Sequence, residues 1–143
     1  GMYADSLIEA IGSDLDGTIG TVPWSEGEGT DAFVTVSTDA GVNGDSSFTR
    51  ESYDAAALIA LAMQAGGEAT REAVAANLLA VANGPGEPIL PGELGKALEI
   101  LAGGGEVDYV GATNVELIGP GEAAGTYREY EVQGSAYETI SFR

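Results

Sequence analysis

The chain has 143 residues, with 5 basic and 23 acidic side chains and no histidine or cysteine, so its formal net charge is −18. A nucleic-acid binder needs a stripe of basic side chains to displace counterions from phosphates, and five scattered cations cannot form one. An anionic membrane surface would repel the chain for the same reason. Disulfides, thiol nucleophiles, Cys/His zinc sites and Ser-His-Asp triads are excluded because the residues that they need are missing.

The composition is that of one folded domain. Hydrophobic residues make up 44% of the chain and charged residues 20%, which differs from the low hydrophobicity of disordered chains. No apolar run approaches the roughly 18 to 20 residues that a membrane-spanning helix needs. The segment from Gly1 to Asp5 lacks the basic and apolar regions of a signal peptide. We interpret Gly1, which precedes Met2, as the remnant of a tag.

Short elements are predicted for the first third of the chain. An apolar stripe with helical spacing, a β-branched run closed by a proline and a stretch rich in Gly and Glu follow one another there. They predict a helix over residues 6–11, a strand over 18–22 and a loop over 24–30. Residues 32–38 combine strand-forming side chains with a helix-start signal just before them, and we predict a helix there.

Three successive helices are predicted for the middle of the chain. They cover residues 49–65, residues 70–81 and the segment from about Pro91 to Leu101. A run of residues containing glycine follows each helix and is expected to end it. The first of the three is apolar nearly all round, so we expect it to be buried.

Residues after the helices alternate between apolar and polar side chains with a period of two. The alternation covers residues 115–117, 127–132 and 137–142, with turn sequences at 119–121 and 133–135 between them. It predicts a terminal antiparallel meander. We therefore predict an α/β fold in which three or four helices accompany a small mixed β-sheet, formed by the strand at 18–22 and the meander.

One acidic motif suggests enzymatic chemistry. The run Asp14-Leu15-Asp16-Gly17-Thr18 resembles the first motif of haloacid-dehalogenase-type phosphatases, in which two close carboxylates act as nucleophile and general acid/base near Mg²⁺. In that family the motif ends a buried strand, whereas here the predicted strand follows it. The alternative is a helix-to-strand turn to which Asp and Gly supply the turn chemistry, and we prefer it.

Three other groups of residues have both a binding and a structural interpretation. The glycines at 84–86 and 103–105 follow predicted helices, and we interpret them as helix ends and not as phosphate loops. The acidic residues Glu26, Glu28 and Asp108 lack the spacing of a calcium loop, which favours a solvated surface. Four aromatic residues could form a ligand wall, but we expect the tyrosines to pack from strands onto a helix; the four are Trp24, Tyr127, Tyr130 and Tyr137.

The order of several segments resembles the C-terminal part of type I periplasmic binding proteins. The branch that is most similar is the branched-chain amino-acid binding components of ABC transporters. The resemblance covers nearly the whole chain. It rests on six runs: Leu15 to Pro23, Glu51 to Ala62, Val81 to Gly86, Gly92 to Leu98, Asp108 to Ala112 and Gly125 to Val132.

The resemblance implies a two-lobed arrangement of which this chain is about the last third. Members of the family hold a ligand between two α/β lobes joined by a hinge. Residues 1–22 and 125–143 would then belong to one lobe and residues 23–124 to the other. An acidic residue that binds the ligand's ammonium in the family would align just before Gly1. Asp5 lies nearby but does not match that position, so it is not assigned the role.

The function implied by the resemblance is non-enzymatic binding of a small solute. The solute would be a branched-chain or other amino acid, the partner an ABC transporter permease, and the location periplasmic or extracytoplasmic. We expect no cofactor, no metal and no catalytic residue, and the sequence assigns no ligand-binding residue. A chain that lacks part of a two-lobed fold would expose apolar faces, so we also expect a homodimer. The alternative functions are a self-associating structural or interaction domain without ligand binding and, more remotely, the phosphatase that uses Asp14 and Asp16.

Overall fold

In a computed structural model of the chain, residues 3–119 and 121–143 are described. Gly1, Met2 and Pro120 lie outside them. The proposed tag remnant and the centre of the turn predicted at 119–121 therefore also lie outside the described residues. The α/β class is confirmed, with five α-helices and three small sheets among the described residues. The elements are α1 (Asp5–Ile11), a 3-10 helix (Gly12–Leu15), β1 (Ile19–Trp24), α2 (Glu28–Asp39), α3 (Thr49–Gly66), α4 (Arg71–Ala82), β2 (Glu87–Ile89), α5 (Leu94–Ala102), β3 (Val107–Tyr109), β4 (Leu117–Gly119), β5 (Glu122–Ala123), β6 (Thr126–Gln133) and β7 (Ala136–Phe142).

Both ends of the chain build one body, which we call the terminal body (residues 3–24 and 126–143). Its sheet is antiparallel in the order β1-β6-β7, with Val22 opposite Arg128 and Arg128 opposite Phe142. One face of the sheet packs against α1 through a small core that includes Val22, Tyr130 and Val132. The predicted antiparallel pairing is therefore confirmed for these three strands, but the sheet is wholly antiparallel and not mixed. The segment predicted as a strand at 115–117 contributes instead to β4, which pairs with β5 in a separate sheet.

The described residues within 28–123 form a second body, which we call the helical body. Helices α3 and α4 pack together over the parallel pair β2-β3, with Ile89 opposite Tyr109. Its core is larger than that of the terminal body, and its most deeply buried side chains include Leu61, Val81, Ile89, Val107 and Tyr109. The two bodies thus have separate hydrophobic cores.

Helix α3 corrects one expectation from the sequence. It was expected to be buried all round, but only one side is buried, at Ala57, Leu58, Leu61 and Ala62, while Ile59 is 45% exposed. The physical reason is that alanine supplies most of the opposite side and costs little when it faces water. The apolar composition of α3 therefore predicted burial on all sides, whereas the helix is buried on one side only.

Several element bounds also differ from the predictions. Helix α2 begins at Glu28, inside the predicted loop, whereas α5 begins only at Leu94 because Pro91 and Gly92 form a turn in which Gly92 has a φ of 92°. Strands β2 and β3 were not predicted, because each has only three residues. Among the described residues, no helix is long and apolar enough to cross a bilayer.

Candidate functional site

A cleft lies where the terminal body meets the helical body. Its volume is about 430 Å³, and both bodies line it. The terminal body contributes the ends of β1 and β6, and the helical body contributes the starts of α2 and α3 with the loop before α3. The lining residues include Tyr3, Val22, Trp24 and Arg128 on one side and Thr30, Asp31, Ser47, Phe48, Arg50 and Glu51 on the other.

Arg128 is the most unusual side chain in the cleft. Its guanidinium lies 4.7 Å from the ring centroid of Tyr3 and 5.1 Å from that of Trp24, and it donates a hydrogen bond to the Tyr3 hydroxyl. Its Nε is buried and has no hydrogen-bond partner, and no ion pair among the described residues includes it. Burial lowers the pKa of Arg128, although an arginine remains charged at neutral pH. Arg128 is therefore a cation in the cleft that forms no ion pair with any carboxylate of the described residues.

Arg50 brings a second cation to the cleft from the first turn of α3. One of its Nη atoms lies 2.9 Å from Oδ1 of Asp45, while its buried Nε has no partner. Just before it, Phe48 has a φ of 66°, a left-handed conformation that is costly for a residue with a side chain. Ser47 donates a hydrogen bond of 2.8 Å to the carbonyl of Tyr3, which joins this loop to the terminal body.

Asp54, on α3, is a buried carboxylate that organises the loop after β3. It is 3% exposed and accepts four hydrogen bonds, from the Tyr109 hydroxyl (2.8 Å), the Ala112 amide (2.7 Å), the Thr113 amide (2.9 Å) and the Thr113 hydroxyl (2.7 Å). Burial, and then the charge of Asp54, raise the pKa of Tyr109 well above its ordinary value. Tyr109 therefore remains a neutral hydrogen-bond donor.

The loop that Asp54 fixes in turn positions the start of α2. Thr30 donates a hydrogen bond of 2.9 Å to the Ala112 carbonyl, and Asn114 donates one of 2.6 Å to the Glu26 carbonyl. At Gly29 a Cβ would lie only 2.0 Å from the carbonyl oxygen of Gly111, so the close approach requires glycine. Because Thr30 lines the cleft, this set of contacts links Asp54 to one wall of it.

Asp14 and Asp16 lie in the 3-10 helix and the turn that follows it, before β1. Both carboxylates are exposed, and Asp16 Oδ1 accepts a hydrogen bond of 3.2 Å from the Ser135 amide. Neither residue lines the cleft. The structure thus agrees with the interpretation of this motif as a turn that leads into a strand.

The other residues considered for binding are dispersed. Glu26 lies in the loop before α2, Glu28 begins that helix and Asp108 lies on β3. The described part of the chain contains no group of three or more acidic side chains placed to bind a metal ion. The runs at 84–86 and 103–105 follow α4 and α5, as expected for helix ends.

The aromatic residues divide between a structural and a cleft position. Tyr130 and Tyr137 pack edge to face at 5.1 Å and belong to the core under α1, as predicted for strand tyrosines. Tyr127 is 48% exposed, whereas Trp24 lines the cleft and packs on Phe142 at 5.3 Å. The sequence analysis missed the cleft residues Tyr3, Arg50 and Arg128 because they are far apart along the chain. Three of the five cations, Arg50, Arg128 and Arg143, lie within two positions of an aromatic residue, but this signal does not separate the two cleft residues from Arg143.

Comparisons with known proteins point to solute-binding proteins. Over 93 residues, 64% of this chain, it is 38% identical to the chemotactic signal transduction system substrate-binding protein BasB of Halobacterium salinarum. The crystal structure of the leucine-binding protein LivK of Thermotoga maritima superposes on 97% of the chain with a TM-score of 0.64 and 17% identity. The chain spans only 22% of the length of BasB and 34% of that of LivK. No model of a protein family matches the chain.

Proposed function

Since the chain has the fold of part of a type I periplasmic binding protein, we propose that it binds a small solute in the cleft between its two bodies. The observation that supports this most directly is the position of the cleft, at the junction of two separate hydrophobic cores. Its volume of about 430 Å³ lies in the range typical of small-molecule sites. The similarity to BasB supports a substrate-binding role.

The proposed solute is a branched-chain or other amino acid, and the proposed role is that of an extracytoplasmic receptor without catalytic activity. LivK is a leucine-binding protein and BasB serves chemotactic signalling, so the partner of this chain would be an ABC transporter permease or a chemotaxis receptor. The two bodies would be parts of the two lobes. This proposal assigns residues 1–22 and 125–143 to one lobe and 23–124 to the other, close to the boundaries of the two hydrophobic cores.

Isothermal titration calorimetry of the 143-residue chain with L-leucine, L-isoleucine and L-valine tests the proposal. We expect a saturable heat with one solute per chain for at least one of the three. L-Lysine is a suitable control, because its second ammonium would lie beside Arg128 and Arg50 in the cleft. An absence of heat with all three branched-chain amino acids would refute the binding of branched-chain amino acids by this chain.

A second candidate function is self-association, which exposed apolar side chains favour. They occur on both bodies, and the most exposed include Ile118 (68%), Ile19 (62%), Phe142 (55%) and Ile140 (50%). Exposed apolar side chains drive association between proteins when they form a contiguous patch. Light scattering coupled to gel filtration would detect the proposed homodimer, and a monomer at all concentrations would contradict it.

A further inference from the structure

The five cations of the chain differ in how their charges are compensated. Lys96 lies 2.7 Å from Glu87, Arg143 lies 2.9 Å from Glu129 and Arg50 lies 2.9 Å from Asp45. Arg71 is exposed to water on α4. Only Arg128 is both half-buried and without an ion pair among the residues that the structure describes. In a chain with 23 acidic side chains, this isolation requires a physical explanation.

The surroundings of Arg128 fix its side chain and leave its charge uncompensated. The rings of Tyr3 and Trp24 lie within 5.1 Å of the guanidinium, where they attract the cation and restrict its orientation. Its Nε is shielded from water and has no acceptor among the described residues. A guanidinium that is partly removed from water is stabilised when an anion compensates its charge. An anion that enters the cleft would therefore gain more from Arg128 than from an exposed arginine.

We propose that Arg128 binds the carboxylate of the solute that occupies the cleft. This rests on the proposed function and specifies which residue recognises the ligand. A guanidinium matches a carboxylate through paired N–H donors, and charge-assisted hydrogen bonds of this kind are about twice as strong as neutral ones. Arg50 lines the same cleft but is already paired with Asp45, which leaves the direct contact to Arg128. The carboxylates of Asp31 and Glu51 lie on the opposite side and suit the ammonium of an amino acid.

Trp24 provides a direct measurement of occupancy, because it is the single tryptophan of the chain and lines the cleft. The experiment follows its fluorescence during titration with L-leucine, with L-leucinamide, which lacks the carboxylate, and with acetate, which has only the carboxylate. Ionic strength is held constant. The variants are Arg128→Gln, Arg128→Lys and the control Arg71→Gln, which removes an exposed positive charge.

The expected result is that the wild-type chain binds L-leucine at least about tenfold more tightly than L-leucinamide. Arg128→Gln should lose that preference, Arg128→Lys should retain part of it, and Arg71→Gln should bind as the wild type does. Equal binding of leucine and leucinamide by the wild-type chain would overturn the inference while the proposed function stands. This comparison needs no variant, so a folding defect in Arg128→Gln does not affect it.

Two further results separate the inference from the proposed function. A saturable response to acetate that Arg128→Gln abolishes, without a response to leucine, isoleucine or valine, would support the carboxylate site and overturn the assignment of the solute as a branched-chain amino acid. No response to any carboxylate probe would overturn both. Unchanged leucine binding by a folded Arg128→Gln variant would overturn the inference alone.

Discussion

Replacement of Asp54 tests whether this buried carboxylate maintains one wall of the cleft. In Asp54→Ala, four donors lose their acceptor at once. Two of them, the Tyr109 hydroxyl and the Ala112 amide, belong to residues that are 0% exposed and cannot turn to water. A buried donor without a partner costs about 1 to 3 kcal/mol, so the two together should lower the free energy of unfolding by about 4 kcal/mol. The half-buried Thr113 can be rehydrated.

The variant Asp54→Asn provides a finer version of the same experiment. An asparagine keeps one oxygen, which can still accept from Tyr109 and Ala112, but its amide group would face the Thr113 amide, which is also a donor. We expect the free energy of unfolding to fall by about 2 kcal/mol, which places this variant between the wild type and Asp54→Ala in stability. The free energy of unfolding of both variants is measured by urea unfolding, with Trp24 fluorescence as the signal. Because the loop that Asp54 fixes positions Thr30, leucine binding should also weaken.

The matched control is Asp39→Asn, which removes an equal charge from an exposed position at the end of α2. It should change the free energy of unfolding by no more than about 0.5 kcal/mol. Loss of a negative charge from a chain of net charge −18 should, if anything, stabilise it. An Asp54→Asn variant as stable as Asp39→Asn would refute the reasoning, since the four hydrogen bonds would then contribute nothing that a neutral side chain cannot replace.

The remaining predictions concern charge. Sodium chloride should stabilise the chain, because screening weakens repulsion among its acidic side chains; between 0.01 and 1 M we expect a gain on the order of 1 kcal/mol, or about 3 °C in thermal melts. A fall in melting temperature would contradict this. The Glu93 carboxylate accepts a hydrogen bond from the Leu90 amide, which lowers the pKa of Glu93 below its ordinary 4.5. Its charge therefore contributes stability above about pH 4.5, and that contribution is lost as the pH falls through the lowered pKa. In urea unfolding, the free energy of unfolding of the wild type should exceed that of Glu93→Gln by less than about 1 kcal/mol at pH 7, and this difference should shrink as the pH falls below 4.5. A difference that does not change with pH would exclude this origin.

The helices of the fold were predictable from local patterns. Helices α3 and α4 have apolar residues at helical spacing and glycine-containing runs after them, and both were predicted within one or two residues of their bounds. The strand at 18–22 was also predicted, although its pairing extends through Pro23 to Trp24. These signals are local, so a single sequence contains them.

The parallel pair β2-β3 was not predictable in the same way. Each strand has three residues, too few for a period of two, and Pro88 argues against a strand when the sequence alone is considered. Their pairing joins segments that α5 separates, and the burial of Ile89 and Tyr109 at 0% exposure depends on that pairing. The fold was therefore predictable where local structure determines it and not where distant segments meet.

The cleft was not predictable for the same reason. Tyr3, Arg50 and Arg128 are brought together only by the pairing of β1 with β6 and by the contact between the two bodies. Asp54 was seen in the sequence only as part of a helix that resembles a known family. Its four donors come from the segment 109–113, and no spacing within α3 indicates them.

The pairing of β1 with β6 makes the helical body an insertion between two adjacent strand ends. Trp24 lies opposite Thr126, so pairing these strands closes a loop of about 100 residues, which is entropically unfavourable until the intervening chain is compact. Contacts within the helical body are more local, as between α3 and α4. Folding should therefore begin there, with the sheet of the terminal body forming last. Because the ends of the insertion are neighbours, a short turn could replace residues 25–125 and reduce the terminal body to a three-stranded sheet with one helix.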